Sequence, residues 1–265
     1  MSIYTYQLLK GVGLSEQRVL SVLPKIKVDS LNAGQIICHK GSQPEAWHHI
    51  VSGLVGAGIP QENGVITPIN IFGPGTWFGE VAILNHRPLM VDCVCLTPVR
   101  ILKMPLEQAV DAFENDADFS RHVARLIAWR TQQQSEMLIL MRLGSPQLRV
   151  VLGLALFAEA LHSSNSHLPT NELDDSLDIP VKQSALAAMC GVSRGIFSEC
   201  VQHLAAAGWV RLSYATLALS KILVWHNFSR RHRQNRHNNA KPVMPEILHM
   251  FEEAAVSSPS LRGTQ

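Results

Sequence analysis

KQSALAAMCGVSRGIFSECVQHLAAAGWVRLS, residues Lys182 to Ser213, is the stretch whose reading decides the fold. Two short apolar-periodic segments meet at Cys190-Gly191-Val192-Ser193, and Gly208 opens an apolar run with the rhythm of a β-ribbon. Relative to Gln183, small Ala187 comes four positions later, Gly191 eight, and apolar Phe197 and Cys200 fourteen and seventeen. Steeply crossing helices need a small side chain where they touch, and a tight turn needs a residue that accepts positive φ. Ala187 and Gly191 meet those needs. Ser193 stands where its hydroxyl can cap the second helix. The spacing predicts a helix-turn-helix followed by a wing, with Arg194, Gly195, Ser198, Glu199 and Gln202 on the exposed face of the second helix, where they would meet the major groove of DNA.

Charge is distributed to match. The net charge is +2, but residues 182–241 hold nine Lys and Arg against the single acid Glu199, a local +8. Residues 1–181 carry −4 and residues 242–265 carry −2. A basic segment on an acidic body suits a phosphate-binding module, because neutralised phosphates supply most sequence-independent affinity for DNA. With 265 residues, 46% hydrophobic and 17% charged, the chain can fill two cores of ordinary size. No apolar run approaches a membrane span, and MSIYTYQLLKGVG lacks the build of a signal peptide, so a cytoplasmic location without membrane contact is expected. Cys38, Cys93, Cys95, Cys190 and Cys200 are odd in number and form no C-x-x-C pair. Reduced, buried thiols are expected, with neither a disulfide framework nor a zinc site.

Upstream of the helix-turn-helix the rhythm changes twice. Residues 1–30 show weak helical periodicity through Leu8, Leu9, Val12, Leu14, Val19, Leu20 and Leu23, ending at Pro24. From Leu31 to Met104 short apolar runs alternate with Gly and Pro, which predicts an antiparallel barrel or double-sheet roll. Leu106 to Leu143 reads as helical with a break near Asn115. Phe119, Val123, Leu126, Arg130, Gln133, Met137 and Leu140 fall at alternating steps of three and four, the spacing of a coiled-coil seam with a polar middle. A helix of this length needs a partner for its stripe, so homodimerisation through Val123, Leu126, Arg130, Gln133, Met137 and Leu140 is expected. Gly144-Ser145-Pro146 is the natural hinge, and Gln147 to His162 a strongly apolar helix. SSNSHLPTNELDDSLD reads as a polar linker. Phe228 to Asn239, FSRRHRQNRHNN, is basic without an apolar face and reads as a solvated tail or a phosphate contact. PEILHMFEEAA, from Pro245, is a short amphipathic helix. The expected class is α+β, with a sensor roll at 1–115, a dimerisation helix at 116–143, a winged helix-turn-helix at 144–228, and a basic tail with a short helix at 229–265.

This order resembles the Crp/Fnr family of bacterial transcription regulators from about Leu31 to about Leu223. The elements that carry the resemblance are Gly34, Gly41 and Gly53, the run FGPGTWFGEVAIL from Phe72 to Leu84, Arg149 past the hinge, and GVSRGIFSECVQHL from Gly191. The resemblance implies a homodimer on two-fold symmetric double-stranded DNA, contact with RNA polymerase, and an effector pocket in the roll at Gly79, Glu80, Arg87, Leu89 and Met90. It also implies phosphate contacts from Lys182, Gln183, Ser184 and Ser193.

Two departures limit the analogy. Cyclic-nucleotide-binding members place an Arg nine residues after the Glu to pair with the cyclic phosphate. Gly79, Glu80 and Pro88 match, but Leu89 stands in the place of that Arg. A buried phosphate without its guanidinium is an uncompensated charge, which argues against cyclic AMP. Arg87, two residues earlier, is the nearest replacement. In the reading helix Ser193 and Arg194 match, while Gly195 and Glu199 replace the family's Glu and second Arg. Arg194 can bind a guanine edge and Glu199 can accept from a cytosine amino group, so the operator should differ from the common one. The oxygen-sensing branch holds an iron–sulfur cluster through N-terminal cysteines, and residues 1–37 contain none, which sets that cluster aside. Haem is disfavoured, although His39, His48, His49 and His86 lie in the roll. A metal-dependent cupin-like enzyme would want His-x-His on one strand, whereas His48 and His49 are adjacent and point to opposite faces. A ligand-independent DNA-binding dimer is the remaining alternative.

Overall fold

The computed structural model describes residues 3–60, 66–162, 176–213, 217–234 and 241–256. The chain forms two compact units, Met1–Pro60 with Phe72–Ser135, and Gln61–Ile71 with Glu136–Gln265.

The first unit begins with helices α1 (Ile3–Gly11) and α2 (Glu16–Val22), followed by a 3-10 turn at Leu23–Lys25 that runs through Pro24. Ser15 caps α2 by accepting the Arg18 N–H at 3.3 Å. Strands β1 (Lys27–Leu31), β2 (Ile36–Cys38), β3 (Ala46–Ser52), β4 (Val55–Pro60) and β6 (Trp77–Phe78) follow, while β5 (Ile66–Phe72) falls in the second unit except for Phe72. Next come α3 (Glu80–Asn85), β7 (Asp92–Cys95), β8 (Val99–Pro105), α4 (Leu106–Asn115) and α5 (Ala117–Leu143), the last of which passes into the second unit at Glu136. One antiparallel sheet runs β1-β8-β3-β6, and the other includes β2-β7-β4. The short strands close into the expected roll.

Strand alternation builds two cores from one sheet. Ile50 and Ile101 face Val55, Cys93 and Cys95 of the opposing sheet. Trp47, Leu102 and Met104, on the other face, pack against Leu9, Val12 and Val19 of the N-terminal helices and Phe119 and Val123 of α5. Trp47 stacks on Trp77 at 4.1 Å and meets the edge of Phe119 at 5.3 Å. Gly53 has φ +89°, and a Cβ there would collide with the Pro98 carbonyl, so the β3–β4 turn closes only on glycine. The helical stretch breaks where expected, at Asp116 (φ −112°, ψ 102°). The Asp116 carboxylate lies 2.5 Å from Arg18 Nε, and the same guanidinium bonds Asp111.

The second unit contains α6 (Pro146–His162), β9 (Ser176–Ile179), α7 (Gln183–Met189), α8 (Arg194–Ala206), β10 (Val210–Leu212), β11 (Leu217–Ser220), α9 (Ile222–Gln234) and α10 (Met244–Val256). Ser145, in the expected hinge, accepts the Leu148 N–H at 3.2 Å and donates to the Pro242 carbonyl at 2.7 Å. The helix α6 is buried along Val150, Val151, Leu154, Ala155, Phe157 and Ala158.

Two expectations are corrected here. Ser176–Asp178, read as the end of a polar linker, belongs to β9, which completes a three-stranded sheet β10-β11-β9. Leu177 and Ile179 alternate with polar residues, and Ile179 is fully buried; the acidic neighbours masked that period of two. The supposed tail from Phe228 is helical to Gln234, so the boundary expected after residue 228 falls inside α9. Its apolar face is Val224, Trp225 and Phe228, all buried, and a window opened at Phe228 misses the first two. Phe251 of α10 stacks on Phe228 at 4.4 Å and packs against Trp225 at 4.7 Å, so α9 and α10 are core elements of this unit. Residues 235–239 of the expected tail lie outside the described residues.

Candidate nucleic-acid interface and effector pocket

Lys182 precedes α7, and its carbonyl accepts from Ala185 and Leu186 at 2.9 and 3.0 Å, starting the first turn. Ala185, Leu186 and Ala187 are buried, which turns Lys182 and Ser184 outward and leaves Gln183 half-buried. Gly191 adopts φ +61°, and the Val192 N–H reaches back to the Ala187 carbonyl at 3.1 Å. Ser193 Oγ then accepts the Ile196 N–H at 3.3 Å, capping α8 as its position predicts. Phe197, Cys200, Val201 and Leu204 form the buried face of α8. Arg194, Gly195, Ser198, Glu199 and Gln202 are all exposed, on one continuous face.

Two features of this module were not read from the sequence. A Cβ on Gly153 of α6 would stand 2.5 Å from Cys190 Sγ, so α6 approaches the turn closely only because residue 153 lacks a side chain. Arg211 is exposed on β10 and adds a cation beside α8; its place within an apolar ribbon was the available signal. The wing is shorter than its apolar run, with Val210 paired to Leu219 and Leu212 to Leu217.

In the roll, Gly79 opens α3 with φ +103° and Glu80 is 4% exposed. The Arg130 guanidinium forms an ion pair with Glu80, donates to the Trp77 carbonyl, and lies 5.2 Å from the centre of the Phe72 ring. The second carboxylate oxygen of Glu80 is buried without a hydrogen-bond partner. Sequence reasoning placed Arg130 in a dimer seam. The structure instead brings it to Glu80, and no local sequence pattern links residues that far apart. Arg87 is exposed on the turn after α3, and Met90 is also exposed. Leu89 is held by its backbone, donating to the Ser42 carbonyl at 2.9 Å and accepting the Gly41 N–H at 2.8 Å.

The histidines divide by burial. His48 and His49 are buried on opposite faces of β3, stacked on Phe78 and tilted against Trp77, and His49 Nε2 lies 3.2 Å from the Tyr4 hydroxyl. Burial pushes both rings down to about 4. His39 and His86 are exposed.

The residues of the expected seam on α5 divide by burial. Val123 is 2% exposed and belongs to the core of its own roll, with Leu126 packed against the same core and Arg130 spent on Glu80. The solvated apolar side chains of α5 are Trp129, Leu138, Ile139 and Leu143, each more than half exposed. Met137 and Leu140 are half-buried, as is Gln133. No helix among the described residues is long and apolar enough to cross a membrane.

A family model described as a cyclic nucleotide-binding domain matches residues 28–116. In two strains of Mycobacterium tuberculosis, a CRP-like cAMP-activated global transcriptional regulator is 21% identical over 208 residues, covering 78% of this chain and 90% of the relative. Among solved structures, FixK2 from Bradyrhizobium japonicum is similar with a TM-score of 0.59 at 14% identity, covering 81% of this chain and 99% of that one. A transcriptional regulator of the CRP/FNR family from Thermus thermophilus gives 0.55 at 19% identity, covering 77% and 98%. At these identities the solved structures speak for the fold. With a roll matched to the cyclic nucleotide-binding domain, a long helix and a C-terminal helix-turn-helix, the chain is similar in fold to solved regulators of the CRP/FNR family.

Proposed function

We propose that the protein acts as a homodimer that reads two-fold symmetric double-stranded DNA through the exposed face of α8, and that cyclic AMP does not gate it. The observation that carries the reading is that face itself. Arg194, Ser198, Glu199 and Gln202 project together from a helix whose opposite side is anchored by Phe197, Cys200 and Leu204. Arg194 offers a fork for guanine and Glu199 an acceptor for cytosine, while Lys182, Gln183, Ser184 and Ser193 supply phosphate contacts. The dimer seam runs along Trp129, Ile139 and Leu143, which recur at heptad-compatible spacing on α5 and are solvated in the single chain. Contact with RNA polymerase and a cytoplasmic location go with this role.

The effector reading rests on Arg130 and Leu89. A cyclic nucleotide needs a guanidinium at the phosphate and a free carboxylate beside it. Leu89 supplies neither charge nor hydrogen bond, and Glu80 is already engaged by Arg130. Opening that pair for a ligand would expose two buried charges to a large desolvation cost. A ligand-independent regulator is favoured by the same observation. The test is to select a palindromic operator from random DNA and titrate the purified chain onto it with and without cyclic AMP. Specific binding unchanged by the nucleotide is expected; a tightening of about tenfold or more would overturn the reading of the pocket without touching that of α8.

A further inference from the structure

Three of the five cysteines lie on adjacent strands of one sheet, and a bulge decides which two meet. Ile36 of β2 is paired with Val94 of β7, so an unbroken antiparallel ladder would set Cys38 opposite Asp92. The register instead shifts between Ile36 and Cys38, and Cys38 faces Cys93. Directly opposed residues of an antiparallel pair have Cα atoms about 4.5–5.5 Å apart. That lies within the span of about 4.4–6.8 Å that a disulfide bridges. Both thiols are free.

We propose that Cys38 and Cys93 are a reversible oxidation site, a dithiol that a hydroperoxide converts to an intrachain disulfide across β2 and β7. Cys38 is half-buried and reachable from solvent, whereas Cys93 is 5% exposed, so Cys38 is the sulfur that meets the oxidant. The neighbouring Cys93 thiol lowers the pKa of Cys38 first of all, burial opposes it, the Lys103 ammonium lowers it further and the Glu45 carboxylate raises it, with a net shift downward. The neighbouring Cys38 and burial hold Cys93 up as the thiol. Cys38 thiolate attacks one oxygen of hydrogen peroxide; the O–O bond breaks, Cys38 becomes a sulfenic acid, and the departing hydroxide takes a proton to become water. The Cys93 sulfur then attacks Cys38, the S–O bond breaks, a second water leaves with the Cys93 proton, and the S–S bond forms. Two thiols lose two electrons and one peroxide becomes two waters. Cys95 does not compete. It lies one pleat further along β7, diagonal to Cys38 at a Cα distance of about 7–8 Å, beyond disulfide reach. Its thiol is also pushed up to about 11 by burial.

The full chain treated with hydrogen peroxide, alkylated, digested and mapped by mass spectrometry tests this. A Cys38–Cys93 cross-linked peptide that dithiothreitol reverses is expected, retained in Cys95→Ser and lost in Cys38→Ser. In Cys93→Ser the Cys38 sulfenic acid should persist and be trapped by dimedone. If that variant does not fold, the map of the unaltered chain decides alone. Cys38 over-oxidised to sulfinic acid without a cross-link, Cys38 linked only to Cys95 or to another chain, or both thiols fully alkylated after peroxide would each overturn the proposal.

Discussion

The guanidinium of Arg130 is paired with the carboxylate of Glu80, joining the long helix to the start of α3 inside the roll. Both side chains are nearly buried, at 11% and 4% exposure, so each is the main neutraliser of the other's charge. Arg130→Ala should therefore destabilise the protein by about 3–5 kcal/mol, because a buried carboxylate is left unpaired. Glu80→Ala should act similarly, and the double variant should lose much less than the sum of the two. Chemical denaturation of all four forms measures this, and strictly additive losses would show that the pair does not interact.

The two apolar sides of α5 should respond differently to charge. Trp129→Glu or Ile139→Glu is expected to give folded monomers in sedimentation, since each side chain is more than half exposed in the single chain. Val123→Glu should instead lower the melting temperature of the roll, because Val123 is packed in its own core. A folded dimer in both solvated-face variants would move the interface elsewhere.

The reading helix makes a separate prediction. Arg194→Ala should weaken binding to the selected operator by about 1–3 kcal/mol and relax preference at one base pair. Competition with random DNA distinguishes the roles, since an equal loss on both would reduce Arg194 to a phosphate contact.

Acid should loosen the roll through its buried histidines. Folded His48 and His49 titrate at about 4, against 6.5 for the ordinary ring. The unfolded state therefore binds protons that the folded state refuses, and stability falls as pH drops from 6.5 toward 4. The loss is roughly 3 kcal/mol per ring at most. Thermal melts between pH 7.5 and 4 should decline across that window in the unaltered chain and less steeply in His49→Phe. Identical slopes would mean that His49 does not contribute.

Close approach of α6 to the helix-turn-helix gives the last prediction. Gly153→Ala places its new carbon 2.5 Å from Cys190 Sγ and should cost about 1–3 kcal/mol. Adding Cys190→Ala removes the clashing sulfur and leaves its Cβ at 3.8 Å, an ordinary contact, so the pair should couple favourably in denaturation. Absence of coupling would mean that the backbone moves apart.

What the sequence determined by itself was local. The order of roll, long helix, hinge and helix-turn-helix follows from periodicity, from Gly191 in its turn and from Ser193 at its cap, because these effects act within a few residues. The exposed face of α8 was legible for the same reason, since a period of 3.6 assigns inside and outside once the helix is known. Tertiary structure decided the rest. Whether Val123 or Trp129 faces solvent depends on which side of α5 the roll covers. That Arg130 meets Glu80, and Cys38 meets Cys93 rather than Asp92, depends on chain closure and on a one-residue bulge. Such pairings are set by packing between distant segments, and no short window of sequence contains both partners.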